Sequence, residues 1–157
     1  MEDNEKNQRS FGRHIVQTSS DISFCAGCNA CGIVCSLVHD GVVGPSYNRI
    51  FMEKGTQSMV TVIHTCQQCA DHPCYEACAR KDQAMCLDEN GTVFINDDFC
   101  IGCKRCIKAC VFDPPRINYV KSTDKTKRKA KKCDLCHTRL EGPACVQYCQ
   151  VSCLKLS

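Results

Sequence analysis

The sequence predicts a small α+β fold of short strands, short helices and long loops, held together more by metal ligation than by an apolar core. Three observations lead there. Cysteine supplies 18 of the 157 residues, and all but two of those fall into four regularly built quartets. Large side chains are scarce, with six Phe, four Tyr and no Trp, so a chain long enough for one domain lacks the usual material for its interior. A short apolar stretch of strand length also follows each quartet.

The first quartet, Cys25, Cys28, Cys31 and Cys35, reads C-x2-C-x2-C-x3-C, and the third, Cys100, Cys103, Cys106 and Cys110, repeats that spacing. The second, Cys66, Cys69, Cys74 and Cys78, widens the middle gap to four residues; the last, Cys133, Cys136, Cys145 and Cys149, widens it to eight. Three cysteines in one tight loop can reach three iron corners of a single cubane, and the fourth iron needs a thiolate from elsewhere. In the bacterial ferredoxin run the fourth cysteine ligates the neighbouring cluster, so motifs work in pairs. Four quartets thus predict two pairs and four [4Fe-4S] clusters, with sixteen cysteines as iron ligands. Zinc also accepts four thiolates. Its modules, though, usually set two C-x2-C knuckles roughly 12 to 20 residues apart, whereas here three cysteines fall within seven residues, twice.

The elements between the quartets follow in order. Strands are expected at Arg49 to Phe51, at Ala84 to Leu87 and Thr92 to Ile95 around Asp88-Glu89-Asn90-Gly91, at Ile117 to Val120, and at Leu154 to Leu156. Asn-Gly is a favoured hairpin turn. A cysteine loop, a short helix after the third cysteine and a strand make one unit, repeated four times. Cys86 and Cys153 stand outside the quartets and read as small buried packing residues. His14, His39, His64, His72 and His137 lack metal-ligand spacing and read as surface groups or neighbours of ligands. Residues 121 to 132 carry Lys121, Lys125, Lys127, Arg128, Lys129, Lys131 and Lys132 against Asp124 alone. A solvated loop is the plain reading of that run; a docking patch, or a positive field near Cys133, is the sharper one. No aromatic residue interleaves it, which argues against single-stranded nucleic acid.

Met1 to Gln17 is polar, with neither the apolar run of a signal peptide nor paired arginines, and no stretch approaches the roughly 18 apolar residues of a membrane span. The expected location is the cytoplasm, where thiols stay reduced and disulfides are rare. The formal charge of +3 counts every cysteine as a neutral thiol. Each ligated cluster contributes about −2, which takes the assembled protein to about −5.

Cys25-Ala26-Gly27-Cys28-Asn29-Ala30-Cys31, Cys66-Gln67-Gln68-Cys69 with Pro73-Cys74, Asp98-Phe99-Cys100-Ile101-Gly102-Cys103, and Lys132-Cys133-Asp134-Leu135-Cys136 followed by Gly142-Pro143-Ala144-Cys145-Val146 together carry a family resemblance. Over about residues 22 to 156 the chain resembles the four-cluster iron-sulfur subunits of molybdenum and tungsten enzyme complexes of the DMSO reductase type. Cys35-Ser36-Leu37-Val38-His39, Gly44-Pro45-Ser46 and Arg49-Ile50 are most similar to the small subunits that accompany tungsten aldehyde oxidoreductases and related benzoyl-CoA reductases. The prolines that often follow the fourth cysteine are replaced by Ser36, Ala79, Val111 and Gln150, and the gap in the last quartet is short for the family.

The resemblance implies two nested bacterial-ferredoxin-like modules. Residues 58–120 would form the inner one, 21–57 with 121–157 the outer one, and 1–20 an N-terminal extension. It also implies the ligand sets. Cys66, Cys69, Cys74 and Cys110 would hold one inner cluster and Cys100, Cys103, Cys106 and Cys78 the other. The outer sets would be Cys25, Cys28, Cys31 with Cys149, and Cys133, Cys136, Cys145 with Cys35. The implied role is a non-catalytic subunit of anaerobic metabolism, passing single electrons to or from a large molybdopterin or tungstopterin subunit, most similar to an aldehyde oxidoreductase. A flavin or ferredoxin redox partner and a stacked, multi-copy assembly are further expectations. A free polyferredoxin, a subunit of a hydrogenase or carbon monoxide dehydrogenase, and a zinc-bound interaction module are the alternatives.

Overall fold

The computed structural model describes residues 10–18, 25–55, 60–121 and 127–157. Among them, eight strands form four two-stranded antiparallel sheets. Strand β1 (Ile15–Gln17) pairs with β8 (Leu154–Leu156), β2 (Phe51–Lys54) with β3 (Thr61–His64), β4 (Met85–Leu87) with β5 (Val93–Ile95), and β6 (Ile117–Lys121) with β7 (Arg128–Lys132). Hairpins this small are marginal alone. In β3 one face is buried, with Thr61 and Ile63 inward and Val62 outward, whereas β7 buries three consecutive residues, Ala130, Lys131 and Lys132.

The β4–β5 hairpin forms where the Asn-Gly pair predicted it. The Asp88 carboxylate accepts the backbone N–H of Asn90 at 2.8 Å and of Thr92 at 2.7 Å, and Gly91 takes a left-handed φ of 78°. The strand expected at Arg49 to Phe51 begins only at Phe51. A 3-10 turn at Pro45–Tyr47 delivers the chain so that the Arg49 backbone N–H donates to the Cys35 sulfur at 3.5 Å instead of to a strand partner.

The basic segment is corrected more sharply. Arg128–Lys132 is a strand in register with β6, and both Lys131 and Lys132 are buried, so a solvated loop does not describe this half of it. Lys125 and Asp124 lie outside the described residues. Strands β1 and β3 were not anticipated either. Residues 10–18 act as a strap: beyond the β1–β8 pairing, Gly12 donates to the Gln68 carbonyl at 2.7 Å and Ala70 to that of Ser10 at 3.1 Å. The Gln17 amide closes on β3 through the Thr61 carbonyl and the Ile63 N–H.

Among the described residues four α-helices complete the fold: α1 (Ala30–Asp40), α2 (Pro73–Glu76), α3 (Arg105–Lys108) and α4 (Ala144–Gln147). Each contains the third cysteine of its quartet. Helix α1 runs eleven residues, long enough to hold Cys31 and Cys35 one turn apart on the same buried face. Two small cores result. Ile15, Ile50, Ile63, Leu135 and Leu154 pack among Cys31, Cys66, Cys133, Cys145 and Cys153. Met85, Val93, Ile117 and Ala130 pack around Cys106. Sulfur takes the place that aromatic rings fill in ordinary interiors.

Candidate metal centres

Left-handed backbone turns make the cysteine loops. The residue before the second cysteine is left-handed in all four quartets: Gly27 at φ 66°, Gln68 at 48°, Gly102 at 69° and Leu135 at 58°. In the first three quartets the residue two before the third cysteine is left-handed as well, namely Asn29 at 63°, His72 at 44° and Lys104 at 62°. Such turns reverse the backbone so that successive N–H groups face one concavity, the geometry that receives anionic sulfur. In the last quartet Pro143 stands at that second position with an extended φ of −63°, which is how the longer gap is absorbed. Glycine is required where the chain passes closest. A Cβ on Gly102 would fall 2.2 Å from the Arg128 carbonyl oxygen, and one on Gly27 would fall 2.9 Å from Thr61 Oγ1.

Four cavities among the described residues are each lined by cysteines from two quartets. Cys66, Cys69 and Cys74 meet Cys110 in one, and Cys100, Cys103 and Cys106 meet Cys78 in a second. Cys133, Cys136 and Cys145 meet Cys35 in a third, and Cys25, Cys28 and Cys31 meet Cys149 in a fourth. Backbone N–H groups aim at the incoming fourth sulfur in each: Arg49 at Cys35 (3.5 Å), Arg80 at Cys78 (3.4 Å), Arg116 at Cys110 (3.3 Å), and the amides of Val151, Cys153 and Leu154 at Cys149. The cavities adjoin one another. Cys31 of the fourth is a charge neighbour of Cys145 in the third, Cys133 of the third neighbours Cys66 in the first, and Cys74 of the first neighbours Cys106 in the second. Cys28 and Cys103, in the two outermost cavities of that series, are exposed.

Burial dominates the electrostatics. It pushes the thiols of Cys31, Cys35 and Cys74 up to about 11, those of Cys106 and Cys145 up to about 12, and that of Cys133 well above its ordinary value. Neighbouring thiols add to the rise at Cys31, Cys74, Cys106 and Cys145, and backbone N–H donors offset part of it at Cys31 and Cys35. At Cys149 burial also acts upward, but the backbone N–H of Cys153, the Cys153 thiol and the N–H groups of Leu154 and Val151 outweigh it, and the thiol falls below its ordinary value. Clustered thiols that resist ionising alone become stable thiolates when cations sit among them. The donor set, four sulfurs around an apolar space with N–H groups aimed at sulfur, fits an iron-sulfur cube in each cavity.

The two cysteines outside the quartets differ. Cys153 is 1% exposed, and its sulfur lies 3.6 Å from that of Cys149 in the same cavity. Cys86, expected to be buried, is only half-buried: it lies on β4, donates to the Gln83 carbonyl at 3.4 Å and is a charge neighbour of Cys78 without lining a cavity itself. Of the histidines, His39 matters most, with Nε2 3.4 Å from the Cys136 sulfur and 3.3 Å from Asp134 Oδ1. His72 also lines a cavity, that of Cys66. His64 pairs with Glu53 at 2.9 Å and His137 with Asp134 at 3.2 Å, while His14 bonds to Ser157. Sequence reasoning missed Gln68, 2% exposed, which bonds across to Cys133 and Val93, and the burial of Lys132. The one available signal was a glutamine in the left-handed position that glycine fills in the first and third quartets.

The sequence profile described as 4Fe-4S dicluster domain matches residues 57–157. Similar proteins include the "Aliphatic sulfonate oxidoreductase, polyferredoxin-like subunit" of Pyrococcus furiosus, 37% identical over 80% of this chain and 66% of that protein. The "Putative oxidoreductase AegA" of Escherichia coli is 36% identical over 84% of this chain and 20% of its own length. The "Thiosulfate reductase electron transfer subunit PhsB" of Salmonella typhi is 33% identical over 83% of this chain and 69% of its own. The match thus spans just under two thirds of the first and a fifth of the second.

Proposed function

This protein belongs to the 4Fe-4S dicluster family, and from that premise we propose that it is the electron-transfer subunit of an oxidoreductase complex, carrying four [4Fe-4S] clusters and no catalytic centre of its own. The single observation behind this reading is that each of four cavities gathers three thiols of one quartet and the fourth thiol of another. The ligand sets follow from those groupings: Cys25, Cys28, Cys31 and Cys149; Cys35, Cys133, Cys136 and Cys145; Cys66, Cys69, Cys74 and Cys110; and Cys78, Cys100, Cys103 and Cys106. Residues 58–120, the module nested within the sequence, carry the Cys66 and Cys100 sites, and 21–57 with 121–157, which flank it in sequence, carry the Cys25 and Cys133 sites.

When bound, each cluster supplies a one-electron couple. The protein's own groups set the conditions. Thiolates anchor the iron, backbone N–H groups aimed at sulfur stabilise the more negative state, and apolar walls keep water out. Adjacent cavities linked through Cys31 and Cys145, Cys133 and Cys66, and Cys74 and Cys106 give a path, with Cys28 and Cys103 near its two outlets.

A bound role is favoured over a freely diffusing ferredoxin by apolar surface on and beside α1. Ile33, Leu37 and Val38 on the helix, with Val42 and Val43 after it, are 39 to 62% exposed, a contiguous stretch of the kind that marks interfaces. The partner proposed is a tungsten or molybdenum pterin enzyme of the aldehyde oxidoreductase kind, on the residues around Cys35 to Ile50. The Pyrococcus relative's name, which attaches it to an aliphatic sulfonate oxidoreductase, supports a catalytic partner in general. The proposed site of action is the cytoplasm; among the described residues no helix is long and apolar enough to cross a membrane.

Anaerobic purification of the native complex tests both levels. About sixteen iron and sixteen sulfide per chain are expected from four cubes, with tungsten or molybdenum in a co-eluting large subunit. A colourless, redox-silent chain would sink the cluster reading, and a co-eluting subunit free of both heavy metals would sink the partner.

A further inference from the structure

Two lysines at the end of β7 sit side by side and are treated oppositely. Lys131 is ion-paired with Asp40 at 2.6 Å and also with Asp97. Lys132, 2% exposed, meets no carboxylate among its bonded partners. Its Nζ donates to three oxygens: Gln68 Oε1 at 3.2 Å, the Val93 carbonyl, and the Cys133 carbonyl at 3.0 Å. An ammonium carries three N–H donors, one for each of these oxygens, and the Cys66 sulfur is a further hydrogen-bond partner of the same group. A cation buried among neutral oxygens is costly unless an anion stands close. The groups nearby that can become anions are the sulfurs of Cys66, Cys74 and Cys133.

The position of this charge is specific. The Lys132 side chain lines the cavity of Cys66, Cys69, Cys74 and Cys110, while the next residue, Cys133, belongs to the cavity of Cys35, Cys136 and Cys145. The ammonium therefore sits at the seam between the two central cavities. Gln68 locks it there, because the glutamine Nε2 donates to the Cys133 carbonyl at 2.9 Å while Oε1 also accepts the Val93 N–H at 3.0 Å.

We propose that Lys132 is a positioning residue that sets potential at this seam, its fixed ammonium favouring the reduced state of the cluster held by Cys66, Cys69, Cys74 and Cys110. The inference rests on the cluster reading above. One electron leaves one central site as it arrives at the other, and no proton moves with it, since an ammonium already committed to three acceptors has no lone pair to receive one. A positive charge in dry surroundings acts more strongly than the same charge in water, so it stabilises the added electron, making transfer towards that cluster less uphill and transfer away from it correspondingly more so.

The test is a redox titration of the full chain, loaded anaerobically and followed by electron paramagnetic resonance, with iron and sulfide measured separately. Lys132→Gln keeps a polar N–H donor on a side chain one bond shorter but loses the charge. At a fixed potential, the reduced-to-oxidised ratio of at least one cluster should fall tenfold or more, a shift of about 59 mV for a one-electron couple. Lys132→Arg, which keeps the charge, should stay within about threefold of the parent. Gln68→Glu places a carboxylate on the ammonium and should lower the same midpoint, and it decides the matter if Lys132→Gln loads poorly. Midpoints of a fully loaded Lys132→Gln or Gln68→Glu all within threefold of the parent overturn the proposal. Low iron in the parent chain overturns the cluster reading instead.

Discussion

The sulfurs of Cys149 and Cys153 stand 3.6 Å apart in one cavity, close enough that either could take the place of the other. A single Cys149→Ser change is therefore a weak test of the ligand set, because Cys153 is positioned to substitute. Cys153→Ala alone should leave iron content unchanged and cost about 1 kcal/mol or less in stability, as one small buried group is trimmed. Cys149→Ser combined with Cys153→Ala should lose about a quarter of the iron, one cube of four. Iron analysis of the two proteins separates a ligand from a packing neighbour.

Gly102 and Gly91 make a matched pair for backbone strain. Both have left-handed φ, but a Cβ on Gly102 meets the Arg128 carbonyl at 2.2 Å, and one on Gly91 meets nothing within 4 Å. Gly91→Ala should cost about 1–2 kcal/mol from conformation alone. Gly102→Ala should cost more and loosen the Cys100–Cys103 loop, which denaturation of the loaded protein under argon would show as earlier bleaching of cluster absorbance.

Asp40 is buried beneath two cations, Arg49 at 2.9 Å and Lys131 at 2.6 Å. Asp40→Ala strips the buried Arg49 of its carboxylate partner, while Lys131 keeps Asp97. A loss of about 3–5 kcal/mol is expected for breaking such a buried arrangement from one side, measurable as a drop in the urea midpoint at unchanged slope.

Cluster loading should depend on pH in a definite direction. Thiols raised to about 11 and about 12 by burial are fully protonated at neutral pH, so iron must displace their protons. Lowering pH strengthens the competing proton and weakens loading; raising it does the reverse. Reconstitution at limiting iron should be less complete at about pH 6.5 than at about pH 8.5, with net acid released into weak buffer. Loading that improves on acidification would contradict the donor chemistry.

Much of the fold could be read from spacing and turn chemistry. The Asn90-Gly91 hairpin and the strand at Leu154–Leu156 formed where expected, because both depend on short-range signals. Strand β7 was unreadable for the opposite reason. Arg-Lys-Ala-Lys-Lys has the composition of a solvated loop, and only tertiary partners turn it into a buried strand: Asp40 and Asp97 for Lys131, and the Gln68 and Val93 oxygens for Lys132. Strand β1 was hidden in the same way, since Ile-Val-Gln gains strand character from a partner at the far end of the chain. At the candidate site, the cysteines that line the four cavities could be picked out because their spacing is a local property. The His39 contact with Cys136 spans 97 positions and left no mark on the sequence.

The strap that joins His14 to Ser157 ties together groups 143 positions apart, and the same closure brings Cys149 to Cys25, Cys28 and Cys31. Synthesis proceeds from one end, at about 5–20 residues per second. The middle of the polypeptide can thus finish folding while those first three thiols wait, on the order of ten seconds, for a fourth still inside the ribosome. During that interval they are the sulfurs most open to oxidants or stray metal, and quality control in the cell has most to guard there.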